Sequence, residues 1–187
     1  MIRSVKASVS RYLSFALLAV SGAGGVDHAA GERIPEVHGT SFANQAVSLP
    51  AEFQNKAAGI LVLGFSRASR DAVTGWATRI AADYRTSDVV AYYELPVVAS
   101  VPGFVRAIVL RSIKSSAPER AHKRIVPITT DEAGWREIVH YGEADDAYLL
   151  VVDRDGNVVW QTHGQPTDAS YAGLKQQVEA LKAKGTK

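Results

Sequence analysis

Gly59 to Phe65 reads GILVLGF, a run in which apolar residues follow one another without a polar break. A strand with one wet face alternates apolar and polar positions, so an unbroken run belongs to a strand covered on both faces. Such a strand demands a packing layer above it and another below. The residues that follow supply one. In SRASRDAVTGWATRIAADY, the apolar Val73, Trp76, Ile80 and Tyr84 recur at steps of three and four, which predicts a helix with a single buried stripe. Ser66 or Ser69 is placed to cap that helix, and Asp71 falls in its first turn, where the dipole favours an anion.

The rest of the chain repeats the alternation. DVVAYYELPVV predicts a second strand ending near Pro96. PGFVRAIVLRSIKSS predicts a second helix, with Pro102 in its first turn, Phe104, Val105, Ile108, Val109 and Ile113 on the inner side, and Arg106, Arg111 and Lys114 on the wetter part. RIVPITT reads as a third strand that Pro127 confines to an edge or a strand end. DEAGWREIVHYG predicts a short helix that opens with acids and closes near Gly142. AYLLVVD and NVVWQTH flank a tight turn containing Asp155-Gly156 and predict an antiparallel hairpin. The closing helix, TDASYAGLKQQVEALKAK, turns Leu174, Val178 and Leu181 inward. Crossover units followed by a hairpin and a helix predict an α/β fold, a three-layer α/β/α sandwich on a mixed central sheet. A length of 187 residues with 47% hydrophobic content suits one such domain.

The first residues read differently. Arg3, Lys6 and Arg11 precede the apolar YLSFALLAV and the small residues SGAGG, the pattern of a secretory signal peptide. Cleavage is expected after Ala23, with Ala30 as the alternative site. A mitochondrial transit peptide is the competing reading. Loss of residues 1–23 removes three bases and no acid, turning the net charge of +2 into −1. A nucleic-acid-binding domain carries its basic footprint on the mature part, so no nucleic-acid partner is expected. Residues 24–41 read as a lead-in arm and 42–187 as the domain, with FANQAVSLPAEF forming a short hairpin or edge strand ended by Pro50.

AYLLVVDRDGNVVWQTHG with its following amphipathic helix resembles the C-terminal half of thioredoxin-like proteins, and GILVLGFSRASRDAV resembles their first strand running into the redox helix. The similarity spans roughly Phe42 to Leu181. It implies a thioredoxin-like fold akin to exported thiol oxidoreductases and peroxiredoxins, which need a cysteine at the helix N-terminus and carry a proline before the penultimate strand. Here Ser66 and Ser69 stand near the first place and Ala147, before Tyr148, at the second. The chain contains no cysteine, which excludes thiol–disulfide exchange and peroxidatic chemistry. A looser similarity, carried by YYELPVVASVPGFVRAIVLRSIKSS, HKRIVPITTD and the hairpin, is to mitochondrial ATP synthase assembly factors. It implies a redox-silent binding domain in an assembly role.

The expected contact surface is therefore Ser66, Arg67, Ser69 and Arg70 with the loop at Asp146, Ala147 and Tyr148, facing a protein partner in the cell envelope, with no cofactor. A cysteine-free reaction using Ser66, Arg67 or His163 is the enzymatic alternative, and it requires those side chains to converge. His38, His122, His140 and His163 are scattered singly, and Asp153, Asp155 and Asn157 lack the further ligands of a calcium loop, so no metal site is expected. Arg106–Arg124 holds six bases against Glu119, whereas Asp131–Asp155 holds eight acids against two bases. Mutual neutralisation across the fold is the expected role of the two blocks. The alternative is that the 106–124 segment steers a partner or touches an anionic membrane.

Overall fold

The computed structural model describes residues 31–185; the expected signal sequence lies outside the described residues. Four strands form the central sheet: β3 (Ala58–Gly64), β4 (Val90–Pro96), β5 (Ala147–Val152) and β6 (Val158–His163), in spatial order β4-β3-β5-β6. β4 runs parallel to β3, while β5 is antiparallel to both β3 and β6. Each step therefore agrees with the expected mixed α/β sheet ending in a hairpin. β3 is central and every residue from Ala58 to Leu63 is buried, which is why its sequence shows no alternation.

Helices α1 (Arg70–Tyr84) and α4 (Asp168–Gly185) cover one face. Trp76, Ile80 and Tyr84 of α1 and Leu174, Val178 and Leu181 of α4 pack on Ile60, Val62, Leu149 and Val151. The other face carries Leu61, Leu63, Leu95, Tyr148 and Leu150. Over it lie α3 (Glu132–Ile138), through Trp135 and Ile138, and an antiparallel hairpin of β1 (Val37–Thr40) and β2 (Ala46–Leu49). Within FANQAVSLPAEF only the single strand β2 forms, ending before Pro50; its hairpin partner β1 lies in the segment read as an arm, and Ile34 and Val37 of that segment reach the core. β1 has only four residues and acquires its order from pairing with β2, a signal too short to read alone.

RIVPITT departs from a regular strand. Ile125 and Ile128 make isolated parallel bridges to Glu94 and Val97 at the free edge of β4, with Val126 and Ile128 donating to the carbonyls of Glu94 and Pro96. Pro127 between them has no N–H to continue the ladder. α3 likewise stops early: His140 adopts a positive φ of 50° and ends the turn before Gly142 is reached.

Helix α2 (Gly103–Ser116) is the main correction. None of its residues is buried, and Phe104 and Ile108, expected inside, are 82% and 67% exposed. Val105, Val109 and Ile113 form the half-covered inner side. Hydrogen bonds hold the helix at both ends. Arg106 donates to the carbonyls of Ala99 and Val101, and His122 Nε2 lies 3.0 and 3.2 Å from the carbonyls of Lys114 and Ala117. Apolar residues on both sides of α2 leave the periodicity unable to say which stripe is covered.

Candidate functional site

The turn Phe65–Ser69 leads from β3 into α1, and the local sequence explains its shape. Ser66 Oγ accepts from the amides of Ala68 and Ser69, 2.9 and 3.3 Å away, folding the chain back before the helix begins. The same hydroxyl donates to Ala144 O at 2.5 Å, joining the turn to the loop that enters β5. Ser69 occupies the N-cap position but makes no side-chain cap; its hydroxyl donates back to Ser66 O. The capping expectation is thus corrected: Ser66 satisfies the amides ahead of the helix. Ser69 is buried against the end of β3, where the missing side chain of Gly64 leaves it room: a Cβ there would come 2.8 Å from Ser69 Oγ.

The loop before β5 is pinned from beneath. Tyr148 OH accepts from the amides of Gly142 and Glu143 and donates to Glu143 O, all within 2.9 Å. Its ring stacks under that of His163 and meets Phe65 edge-on at 5.5 Å. Tyr141 completes the aromatic cluster, and the Arg136 guanidinium lies 3.8 Å from the centroid of its ring. Arg136 is held in turn by Glu132 at 2.7 Å. Burial works against ionisation of Glu132, but hydrogen bonds from Ser100 and Arg136 outweigh it and keep the carboxyl below the ordinary range.

His163, at the end of β6, sets Nδ1 2.5 Å from Asp146 Oδ2. Antiparallel pairing of β5 and β6 brings the two together, since His163 lies opposite Tyr148. Gly164 then donates to Ala147 O and accepts from Trp76 Nε1 at 2.9 Å, so α1, β5 and β6 meet at one corner.

The seven expected contact residues do gather around the start of α1 and β5, in two roles. Ser66, Arg67 and Arg70 are exposed and Asp146 half-buried, whereas Ser69, Ala147 and Tyr148 are buried and shape the surface from below. Sequence reading missed Phe65, Arg136, Tyr141 and the Asp146–His163 pair; only the aromatic character of Phe65 and Tyr141 hinted at them. Among the described residues no hydrogen bond joins Ser66 to His163: the Ser66 hydroxyl bonds to Ala144 O and to the amides of Ala68 and Ser69, and His163 Nδ1 faces Asp146. Among the described residues no group of three His, Asp or Glu side chains converges as a metal would require. Nor is any described helix long and apolar enough to cross a membrane.

No family model and no curated protein sequence matches the chain. Solved structures do. The thioredoxin domain of a thiol-disulfide oxidoreductase from Bacteroides vulgatus superposes with a TM-score of 0.55 at 16% identity, covering 80% of this chain and 98% of that one. BsSco, a member of the Sco family of cytochrome c oxidase assembly proteins, gives 0.57 at 10% identity over 84% and 98%. The pneumococcal exposed lipoprotein thioredoxin from Streptococcus pneumoniae gives 0.54 at 10% identity over 78% and 99%. The fold is thioredoxin-like, as the resemblance implied.

Proposed function

We propose that this chain is an exported, redox-silent thioredoxin-like protein that acts by binding another protein in the cell envelope. One observation carries the reading. At the corner where the fold's relatives place their thiols, the chain has no sulfur, and the hydroxyl of Ser66 bridges two loops and two amides. Among the described residues that hydroxyl bonds only to backbone groups, which suits a fixed surface better than a nucleophile. Arg67 and Arg70 project from the turn, and among the described residues neither joins an ion pair, leaving two cations for an acidic partner surface.

The test compares affinity captures from envelope extract by wild type, by an Arg67→Glu/Arg70→Glu variant and by a Gln176→Lys control on α4. The reading expects one protein retained by wild type and control and lost with the charge-reversed turn. Equal retention by all three overturns it. A role in assembling a membrane complex is the second reading, favoured by the solvent-facing helix α2. It expects deletion of the chain to depress one specific complex, and unchanged complex levels exclude it.

A further inference from the structure

The charge blocks do not neutralise each other. Asp131 accepts from Gly134, Glu132 pairs with Arg136, Asp146 with His163, and Asp153 closes its own turn. Among the described residues Arg111, Lys114, Arg120 and Lys123 join no ion pair. The latter three line a broad basin with Arg85, and Glu119 is the only acid in its wall. The basin begins where α2 ends, since Lys114 and Ser115 belong to both.

The outward side of α2 adds a second property. Phe104, Ala107, Ile108 and Arg111 are exposed and fall at steps of three and four, which sets them along one line of the helix. Phe104 and Ile108 are two of the three large hydrophobic residues that stand exposed among the described residues. The helix itself contains no acid. Apolar side chains on an outward line, continuing into unneutralised lysines and arginines, match the boundary of an anionic bilayer, where apolar groups enter the acyl region and cations meet phosphates. An acidic protein would satisfy the cations yet leave Phe104 and Ile108 without a matching environment.

We propose that α2 and the adjoining segment 119–124 form a membrane-surface site for anionic phospholipids, with Phe104 and Ile108 inserted and Arg111, Lys114, Arg120 and Lys123 at the headgroups. The site shares no residue with the Ser66 corner and does not rest on the partner reading above.

Because the chain has no cysteine, a single introduced thiol gives a unique labelling position. An environment-sensitive fluorophore is attached to full-length Ala107→Cys and, as a control, to Glu179→Cys on α4. Vesicles of phosphatidylcholine with about 30% phosphatidylglycerol are compared with phosphatidylcholine alone. The expected result is a blue shift at position 107 with anionic vesicles only, reversed by molar salt, and none at position 179. Adding Phe104→Ser and Ile108→Ser is expected to weaken vesicle affinity at least tenfold while the circular dichroism spectrum stays unchanged. Lys114→Gln/Lys123→Gln is expected to flatten the salt dependence. No shift at position 107, even when the protein sediments with vesicles through another segment, overturns the proposal. So does equal binding to neutral vesicles, or an acidic protein ligand that protects position 107 where vesicles do not.

Discussion

Glu94 lies on β4 opposite Val62 of β3, with Tyr92 two residues before it on the same face and Ile125 bridging to it from the edge. Among the described residues its carboxylate makes no hydrogen bond or ion pair, and burial alone pushes its pKa from 4.5 to about 7. That rise corresponds to about 3 kcal/mol, reduced in practice by the remaining exposure of the side chain. The sign follows from proton counting. Between pH 4.5 and 7 the folded state holds more protons than the unfolded chain, so stability falls as pH rises through this window and is level on either side. Glu94→Gln keeps the shape and removes the charge. The variant is expected to match wild type at pH 4 and to exceed it by about 1–3 kcal/mol at pH 8, a gain of several degrees in Tm for a domain of this size. Thermal and urea unfolding followed by tryptophan fluorescence at pH 4, 5.5, 7 and 8 measures it. Taking the difference between the two proteins cancels every other titrating group. A constant difference across pH, or a less stable variant at pH 8, would refute the reasoning.

Three further outcomes follow from packing and hydrogen bonding. Gly59→Ala would set a Cβ 2.6–2.7 Å from Phe53 and Val152, both fully buried, and is expected to cost about 1–3 kcal/mol in chemical denaturation. Ser66→Ala removes the bridge between the turn and Ala144; a loss of about 1–2 kcal/mol is expected, with hydrogen exchange accelerating at 66–70 and 142–146 and not in β3. Asp131 caps α3 from a left-handed conformation at φ 51°, so Asp131→Ala is expected to cost about 1 kcal/mol or more and Asp131→Gly only a few tenths, by the same denaturation assay.

The elements that announced themselves in the sequence are those whose burial is one-sided or total. Leu174, Val178 and Leu181 are the buried residues of α4, and Trp76, Ile80 and Tyr84 are buried in α1, because each helix offers one apolar stripe to one sheet face. Helix α2 defeats the same reasoning: its apolar residues lie on two sides, and the fold half-covers only one. β1 and the Ile125–Ile128 edge depend on distant partners, β2 and β4, which local pattern does not encode. The site divides along the same line. Ser66 is legible as a turn residue, since its bonds to Ala68 and Ser69 are local, but its bond to Ala144 spans 78 residues. The Asp146–His163 pair exists only through the β5–β6 register, and the Arg136–Tyr141–Phe65 stack only through the docking of α3. The opposed charge blocks were countable in sequence, yet whether they touch is a property of the fold alone.

Placing a photo-reactive residue at Arg67, at Arg70, and at Glu179 on α4 in living cells asks the central question directly: does the rigid corner where thioredoxin-like proteins do chemistry serve here as a contact face? The account predicts that positions 67 and 70 trap the same envelope protein and that position 179 traps none. Adducts equal at all three positions, or absent from 67 and 70, would contradict it.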